Sequence, residues 1–458
     1  MPRMLFVDDT DITTQQGLER VIHPARKHPA NPILQTDQPW EEQVIMGGTV
    51  RLEPERGYRM WYQSYGRGTY LNLYAESADG VHWQKPVIGR YEDYEGSRQN
   101  NLFLSRMALR SNHLRPPRVN QDHNPNVLYT PHLGPERRYT LLSYDYARSG
   151  YVAYDGYCLA FSPDGLEWHD GPAEPVIPGH ADVGWFTYDP LDRKFRGIVK
   201  SFYNIRGYYR RSVNWTESVD GYDWVMPRPA VVPDLEDEAW GEGRAGHHTQ
   251  FYGMPIARYE SVLLGFLQKF RVTAQGSNQD GEIDVQLTCS RDGRDWRRVG
   301  NRQAIVTLGE AGSWDSGAVL TGNSLVVAGD EVRIYYSGAD HTHDQRGQTR
   351  VGLATWSRDR LVGLRAPAAG GTLQTVPHIA GRRLHVNADA SQGSLMAELV
   401  GWDGQVIAGH EASACGALRA DRLDHSLRWQ GAEPDLSGST VAVRLLLEDA
   451  EVFSLWWD

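Results

Sequence analysis

The chain has 458 residues, a net charge of −11 and abundant Gly (47) and Pro (24), which is length for two or three domains with few helical signals. An acidic balance without a long basic run argues against nucleic acid as a partner, and no apolar run approaches a membrane span. Cys158, Cys289 and Cys415 are three in number and widely spaced, so they form neither a disulfide framework nor a Cys-x-x-Cys metal pair.

The opening, MPRMLFVDDTDITTQQ, lacks the apolar core of a signal peptide, so the expected compartment is the cytoplasm. Residues 1 to about 30 are polar and read as a lead-in that completes the last repeat. Alternating runs then predict strands at 49–52, 58–62 and 71–76, ending in the phrase Ser-x-Asp-Gly-x-x-Trp at Ser77 to Trp83. Runs at 126–129, 139–144 and 156–162 lead into a second copy, Ser162 to Trp168. A third copy spans Ser218 to Trp224, and runs at 256–259, 262–266 and 283–290 lead into a fourth, Ser290 to Trp296. A weaker fifth copy, Trp356-Ser357-Arg358-Asp359, has lost the Gly and the following Trp.

Asp-Gly between alternating runs predicts a tight hairpin, because Gly supplies the positive φ that such a turn needs. The Trp residues at 83, 168, 224, 296 and 356 are 85, 56, 72 and 60 positions apart. That is too long for a solenoid coil and suits a four-stranded sheet per repeat. Five such units predict a five-bladed β-propeller, with a large β-sandwich that happens to use Asp-Gly turns as the alternative. After Ala366-Pro367-Ala368-Ala369-Gly370-Gly371 the phrase stops, and runs at 383–387, 394–400, 405–407 and 440–447 predict a C-terminal β-sandwich. The expected class is all-β, with a propeller over 1–365 and a sandwich over 372–458.

This architecture resembles the glycoside hydrolases of the fructosidase and arabinanase type, families 32, 43 and 68, with the related family 130. Asn31-Pro32-Ile33-Leu34 and Pro39-Trp40-Glu41 look like the start of their first blade. Tyr252-Gly253-Met254-Pro255 and Leu384-His385-Val386-Asn387-Ala388-Asp389-Ala390 look like bacterial family-32-like proteins. The resemblance implies a glycosidase acting on a small oligosaccharide, exo-acting on a furanoside such as a fructoside or arabinoside. A phosphorylase or transglycosylase, or a non-catalytic carbohydrate-binding propeller, stand as alternatives. Family 32 carries Asn-Asp-Pro-Asn-Gly, Arg-Asp-Pro and Glu-Cys; none is present, and the Arg-Asp-Pro slot reads His123-Asn124-Pro125-Asn126. The site therefore has to be argued from position.

Glycoside cleavage needs two carboxyls flanking the bond, and residues just before each blade's first strand reach a propeller's axis. The carboxyls there are Glu41 and Glu42, Asp122, Asp182, Glu242 and Asp315. Asp182 precedes Trp185, and Asp315 follows Trp314 between flexible glycines; Glu42 follows Trp40. Capping of a backbone turn is the structural alternative for each. Trp40, His123, Asn124, Trp185, His248, Gln250, Tyr252, Trp314 and His343 are the expected sugar-binding residues. Trp (15) and Tyr (23) far outnumber Phe (10), and their apolar faces with polar handles suit sugars, although the phrase Trp residues are read as blade packing. His341-Thr342-His343 is a weak metal signal because nothing fixes further ligands, so no metal or cofactor is assigned. The cluster Asp234, Glu236, Asp237 and Glu238 reads as a solvated face, and Arg206, Arg210 and Arg211 as a rim ion-pair network or a phosphate site. The expected partner is an oligosaccharide, and a homo-oligomer stays open.

Overall fold

A computed structural model of the chain describes residues 2–66, 69–93, 95–105, 122–145, 156–172, 174–179, 182–273, 280–345, 347–430 and 436–458. Strands account for 54% of the protein and helix for 4%, so nearly all burial comes from sheets packing on sheets.

Four sheets follow one another along the chain as simple antiparallel meanders. The first runs Val44–Glu53, Gly57–Gly66, Thr69–Ser77, Leu102–Leu104, and the second begins Asp122–Tyr129, Tyr139–Asp145, Gly156–Ser162. The third runs Gly184–Asp189, Lys194–Ile205, Tyr208–Ser218, Arg228–Val231. In the fourth, His248–Gly253 and Ile256–Tyr259 both pair with Val262–Val272, which pairs with Gly281–Ser290. The fifth runs Ala318–Ala328, Glu331–Ala339, Thr349–Ser357, and its outer strand is Arg26–Lys27 from the chain's beginning. A single parallel bridge, Ile283 to Ala318, joins the fourth sheet to the fifth.

The leading strands of these sheets touch in cyclic order. Val44–Glu53 meets Asp122–Tyr129, which meets Gly184–Asp189; this meets Ile256–Tyr259, which meets Ala318–Ala328, and that strand returns to Val44–Glu53. Side chains stitch the seams: Val127 N donates to Thr49 Oγ1 (3.0 Å), Phe186 N to Asn126 Oδ1 (3.1 Å) and Val50 N to Ser324 Oγ (2.8 Å).

The repeated phrase forms the outer seam, though not as the expected two-residue hairpin. Gly80 has φ +78°, but Asp79 is not among the positive-φ residues, so the primed turn is not made. Instead Ser77 Oγ accepts from Gly80 N (2.9 Å), and Asp79 Oδ1 accepts from Val81 N (2.8 Å) and His82 N (2.9 Å). The pattern recurs at Ser162, Ser218 and Ser290. Trp168, Trp224 and Trp296 each turn back so that Nε1 donates to the carbonyl of the phrase's own Gly.

Each turn also docks on the preceding sheet. Arg59 and Trp61 of the first sheet donate to Asp164 O (2.7 Å) and Gly165 O (2.8 Å) in the second sheet's turn. Arg333 and Tyr335 of the fifth hold Asp79 O (2.6 Å) and Gly80 O (3.0 Å) in the first's. The degenerate fifth copy keeps its Asp: Asp359 Oδ1 accepts from Tyr259 of the fourth sheet (2.5 Å).

Two further sheets share one core containing Phe6, Leu364, Leu373, Val386, Leu395, Leu445 and Leu455. They draw strands from both ends of the chain. Met4–Leu5 pairs with Ala450–Trp457, Ile12–Gln16 with Gly371–Thr375, and Glu19–Ile22 with Val362–Ala366. Most of the lead-in thus belongs with the C-terminal sheets, and only Arg26–Lys27 joins the last repeat. No helix among the described residues is long and apolar enough to cross a membrane.

Candidate functional site

At one mouth of the ring, Asp182 stands two residues before Gly184–Asp189. The neighbouring strand runs on past it: Lys200 N donates to Val183 O (2.9 Å), and this brings Lys200 Nζ to 2.5 Å from Asp182 Oδ1. The lysine side chain is 7% exposed and the aspartate 35%, so the carboxylate faces the opening with its cation behind it. Burial lowers the Lys200 pKa while Asp182 opposes that shift.

A polar relay adjoins the pair. Arg211 Nη1 donates to Gln250 Oε1 (2.7 Å), Gln250 Nε2 lies 3.0 Å from His248 Nε2, and His248 Nδ1 lies 2.8 Å from Gly246 O. A carbonyl only accepts, so Nδ1 carries the proton and Nε2 accepts from the amide. The relay therefore orients the His248 ring, the Gln250 amide and the Arg211 guanidinium. The Tyr252 ring lies 5.1 Å from Lys200 Nζ and 5.7 Å from Arg211 Cζ. His343 packs against Tyr252 and Phe270, at 4.9 and 5.2 Å between ring centres. His123 packs against Tyr70, with ring centres 4.1 Å apart and planes tilted by 32°.

The Asp182 charge reaches Lys200, Arg211, Tyr252, Tyr70, Tyr157 and His123. Burial, then Asp182, pushes the Tyr252 hydroxyl up to about 12. The Tyr70 and Tyr157 hydroxyls are raised for the same reasons, with Tyr252 adding to Tyr70. Burial pulls His123 down to about 4; Asp182 opposes and Lys200 assists. Strongly shifted groups around one partly open carboxylate make this mouth the candidate site.

The structure thus brings together Asp182, His123, His248, Gln250, Tyr252 and His343, with Lys200, Arg211, Tyr70 and Tyr157, which sequence reading had not placed there. The other expected residues sit elsewhere or face inward. Asp315, 2% exposed, is held by Lys27 Nζ (2.6 Å) and Tyr336 OH (2.9 Å), and Trp314 stacks on Tyr336 at 5.7 Å. Trp185 packs beneath Gly253, where a Cβ would lie 1.6 Å from its ring. Trp40 Nε1 donates to Asn101 Oδ1 (3.0 Å) inside the first sheet's core. Asn124 takes φ 53° and its amide donates to Gly47 O (3.1 Å), a seam between sheets.

Among the carboxyls, Glu41 is absorbed by Tyr62 and Lys85, both at 2.7 Å. Glu42 is exposed, alongside Gly66. Glu242 is exposed after a short helical turn. Asp122 opens its strand beside His123; its side chain lies outside the described residues. The acidic cluster is not a solvated face at Asp237, which is 1% exposed and bound by Arg298 through two 3.0 Å contacts. Arg210 pairs with Glu238, whereas Arg211 turns to Gln250. No group of three His, Cys, Asp or Glu suited to a metal ion occurs among the described residues.

The opposite mouth is a cavity of about 370 Å³ lined by all five leading strands. Its charges are spent locally: Arg258 Nε donates to Asp189 Oδ1 (2.9 Å) and Arg51 Nε lies 3.6 Å from Glu53.

No family model matches the chain, and no curated protein matches it. Solved structures do. A glycosyl hydrolase from Bacteroides ovatus aligns at TM-score 0.50 and 13% identity, over 74% of this chain and 95% of that one. An N-acetylgalactosamine deacetylase from F. plautii, in complex with blood group B trisaccharide, aligns at TM-score 0.49 and 16% identity, over 76% and 97%. A structure from the GH130 family of mannoside phosphorylases aligns at TM-score 0.46 and 16% identity, over 78% and 97%. At 13% identity the likeness to the B. ovatus hydrolase is one of fold.

Proposed function

We propose that the chain is a carbohydrate-active enzyme, a glycoside hydrolase built on a five-bladed β-propeller with an accessory β-sandwich, and that its reaction centre is Asp182. The observation that carries the reading is the partly open Asp182 carboxylate at the ring's mouth, backed by Lys200 and ringed by His123, Tyr70 and Tyr252. The cyclic contacts of the five leading strands support the propeller, and the shared core of the two remaining sheets supports the sandwich.

A cation beside a carboxylate favours its charged form, which suits a base or nucleophile rather than a proton donor. Tyr252 and Tyr70 supply hydroxyl groups for a sugar's hydroxyls. The second carboxyl role falls to Glu42 or Asp122, one exposed near the first sheet's rim and one adjoining His123. The preferred substrate class is a furanoside, fructoside or arabinoside, attacked from one end of a short oligosaccharide.

Phosphorolysis is the second reading, because Lys200 and Arg211 could hold a phosphate next to Asp182. Aryl furanosides and short oligosaccharides, incubated with and without inorganic phosphate, separate the two. Free reducing sugar in phosphate-free buffer is the expected product. Sugar 1-phosphate formed only with phosphate present favours the second reading, and no release from any glycoside contradicts both.

A further inference from the structure

The third sheet carries a hairpin that outruns the ring. Its leading strand stops pairing at Gly184 with Val199, yet the two hairpin strands continue in register through Lys200 with Val213 to Ile205 with Tyr208. Opposed residues of an antiparallel pair share a face, and faces alternate along it. The face that bears Lys200 therefore carries Phe202 opposite Arg211, and then Asn204 opposite Tyr209. Along it the Phe202 and Tyr209 rings lie 5.0 Å apart and 8° from parallel. Tyr209 is 62% exposed, so the outer face of the stacked pair is open to solvent.

The face is continuous with the Asp182 site. Lys200 contacts Asp182 at its base, and the Phe202 and Asn204 rungs follow at about 7 and about 14 Å along the strand. A stacked aromatic pair needs no reordering to receive a flat apolar ring face, and Asn204 beside it offers an amide to hydroxyls. We propose that Tyr209, backed by Phe202, is a distal subsite that stacks a sugar ring of an oligosaccharide whose terminal unit occupies the Asp182 site. This rests on the carbohydrate reading of that site and names its substrate as a chain of several units rather than a single sugar.

The test is equilibrium titration with fructo- and arabino-tetrasaccharides and with the matching monosaccharides, in the Asp182→Asn background to prevent turnover. Tyr209→Ala is expected to lower the ratio of tetrasaccharide to monosaccharide affinity about tenfold, the scale of one aromatic face. Tyr209→Phe, which keeps the face and loses the hydroxyl, is expected to hold the ratio. An unchanged ratio in Tyr209→Ala, or no tetrasaccharide binding by the parent, overturns the subsite. The two readings fail separately. Binding that depends on Tyr209 without cleavage of any glycoside keeps the subsite and removes the enzyme; cleavage that depends on Asp182 with an unchanged ratio does the reverse.

Discussion

Asp182 and Lys200 divide their exposure unequally, and this decides what removing either one does. Lys200→Met places an apolar chain in a space that is already buried and leaves a carboxylate that water can reach, so the fold loses little. Without its cation the Asp182 pKa rises, so the acid limb of the rate profile should move to higher pH as kcat/KM falls at least tenfold. An unshifted acid limb would separate Lys200 from the reacting group. His123 gives a stability signature. Its pKa in the fold is about 4, against an ordinary value of 6.5. Between these values the unfolded chain holds a proton that the folded chain lacks, so stability is full above about 6.5, falls as pH drops towards 4, and then levels. His123→Gln should flatten that window in thermal melts taken from pH 4 to 7. His123, His248, Gln250 and Tyr252 were legible in polar runs at the start of strands. Lys200 was not, because KFRGIVKSFY reads as an ordinary strand and nothing local says that its second lysine faces a carboxylate. Asp315 misled for the opposite reason: its Trp neighbour mimics the Asp182 context, while the Lys27 that neutralises it comes from the chain's beginning.

At the scale of elements, the Ser-x-Asp-Gly-x-x-Trp turn acts as a clasp between sheets. Ser caps the Gly amide, Asp caps the next two, and the turn's carbonyls receive donors from the neighbouring sheet. Sequence repetition exposed the clasp's existence and spacing. It did not show the docking, because the partners, Arg59 with Trp61 and Arg333 with Tyr335, lie in the second strand of their own sheets, away from the repeated phrase. Glycine substitutions separate local strain from docking. Gly312 has φ +84° with nothing within 4 Å of an added Cβ, so Gly312→Ala should cost about 1 kcal/mol of left-handed strain. Gly165 has φ +81° and an added Cβ would meet Trp61 at 2.7 Å and Arg59 at 3.1 Å. Gly165→Ala should therefore cost clearly more, about 2 kcal/mol or above. Equal shifts in denaturant midpoint would show that the clasp does not bind the first sheet to the second.

Over the whole molecule, the two ends of the chain meet in the C-terminal sheets, where Met4 pairs with Leu455 and Phe6 is 0% exposed in their core. Composition and the small-residue linker pointed to a boundary near 365–372, but a pairing between residues more than 400 positions apart leaves no local trace. A fragment 372–458 lacks three strands from residues 4–22 and the strand Val362–Ala366, so its sheets have open edges and a gapped core. It should show collapsed amide dispersion by NMR. A permuted fragment, 362–458 joined through a Gly-Ser linker to 2–22, should be folded; a well-dispersed 372–458 would contradict this account of the termini. The ring itself matters because it closes His123, Asp182 and Tyr252 from three different sheets onto one mouth. The most direct test is turnover of the Asp182→Asn variant beside its melt, on whichever aryl glycoside or short oligosaccharide the native chain cleaves. A loss of at least about 10²-fold in kcat with an unchanged melting temperature is expected; full activity with an unchanged melt would contradict Asp182 as the reaction centre.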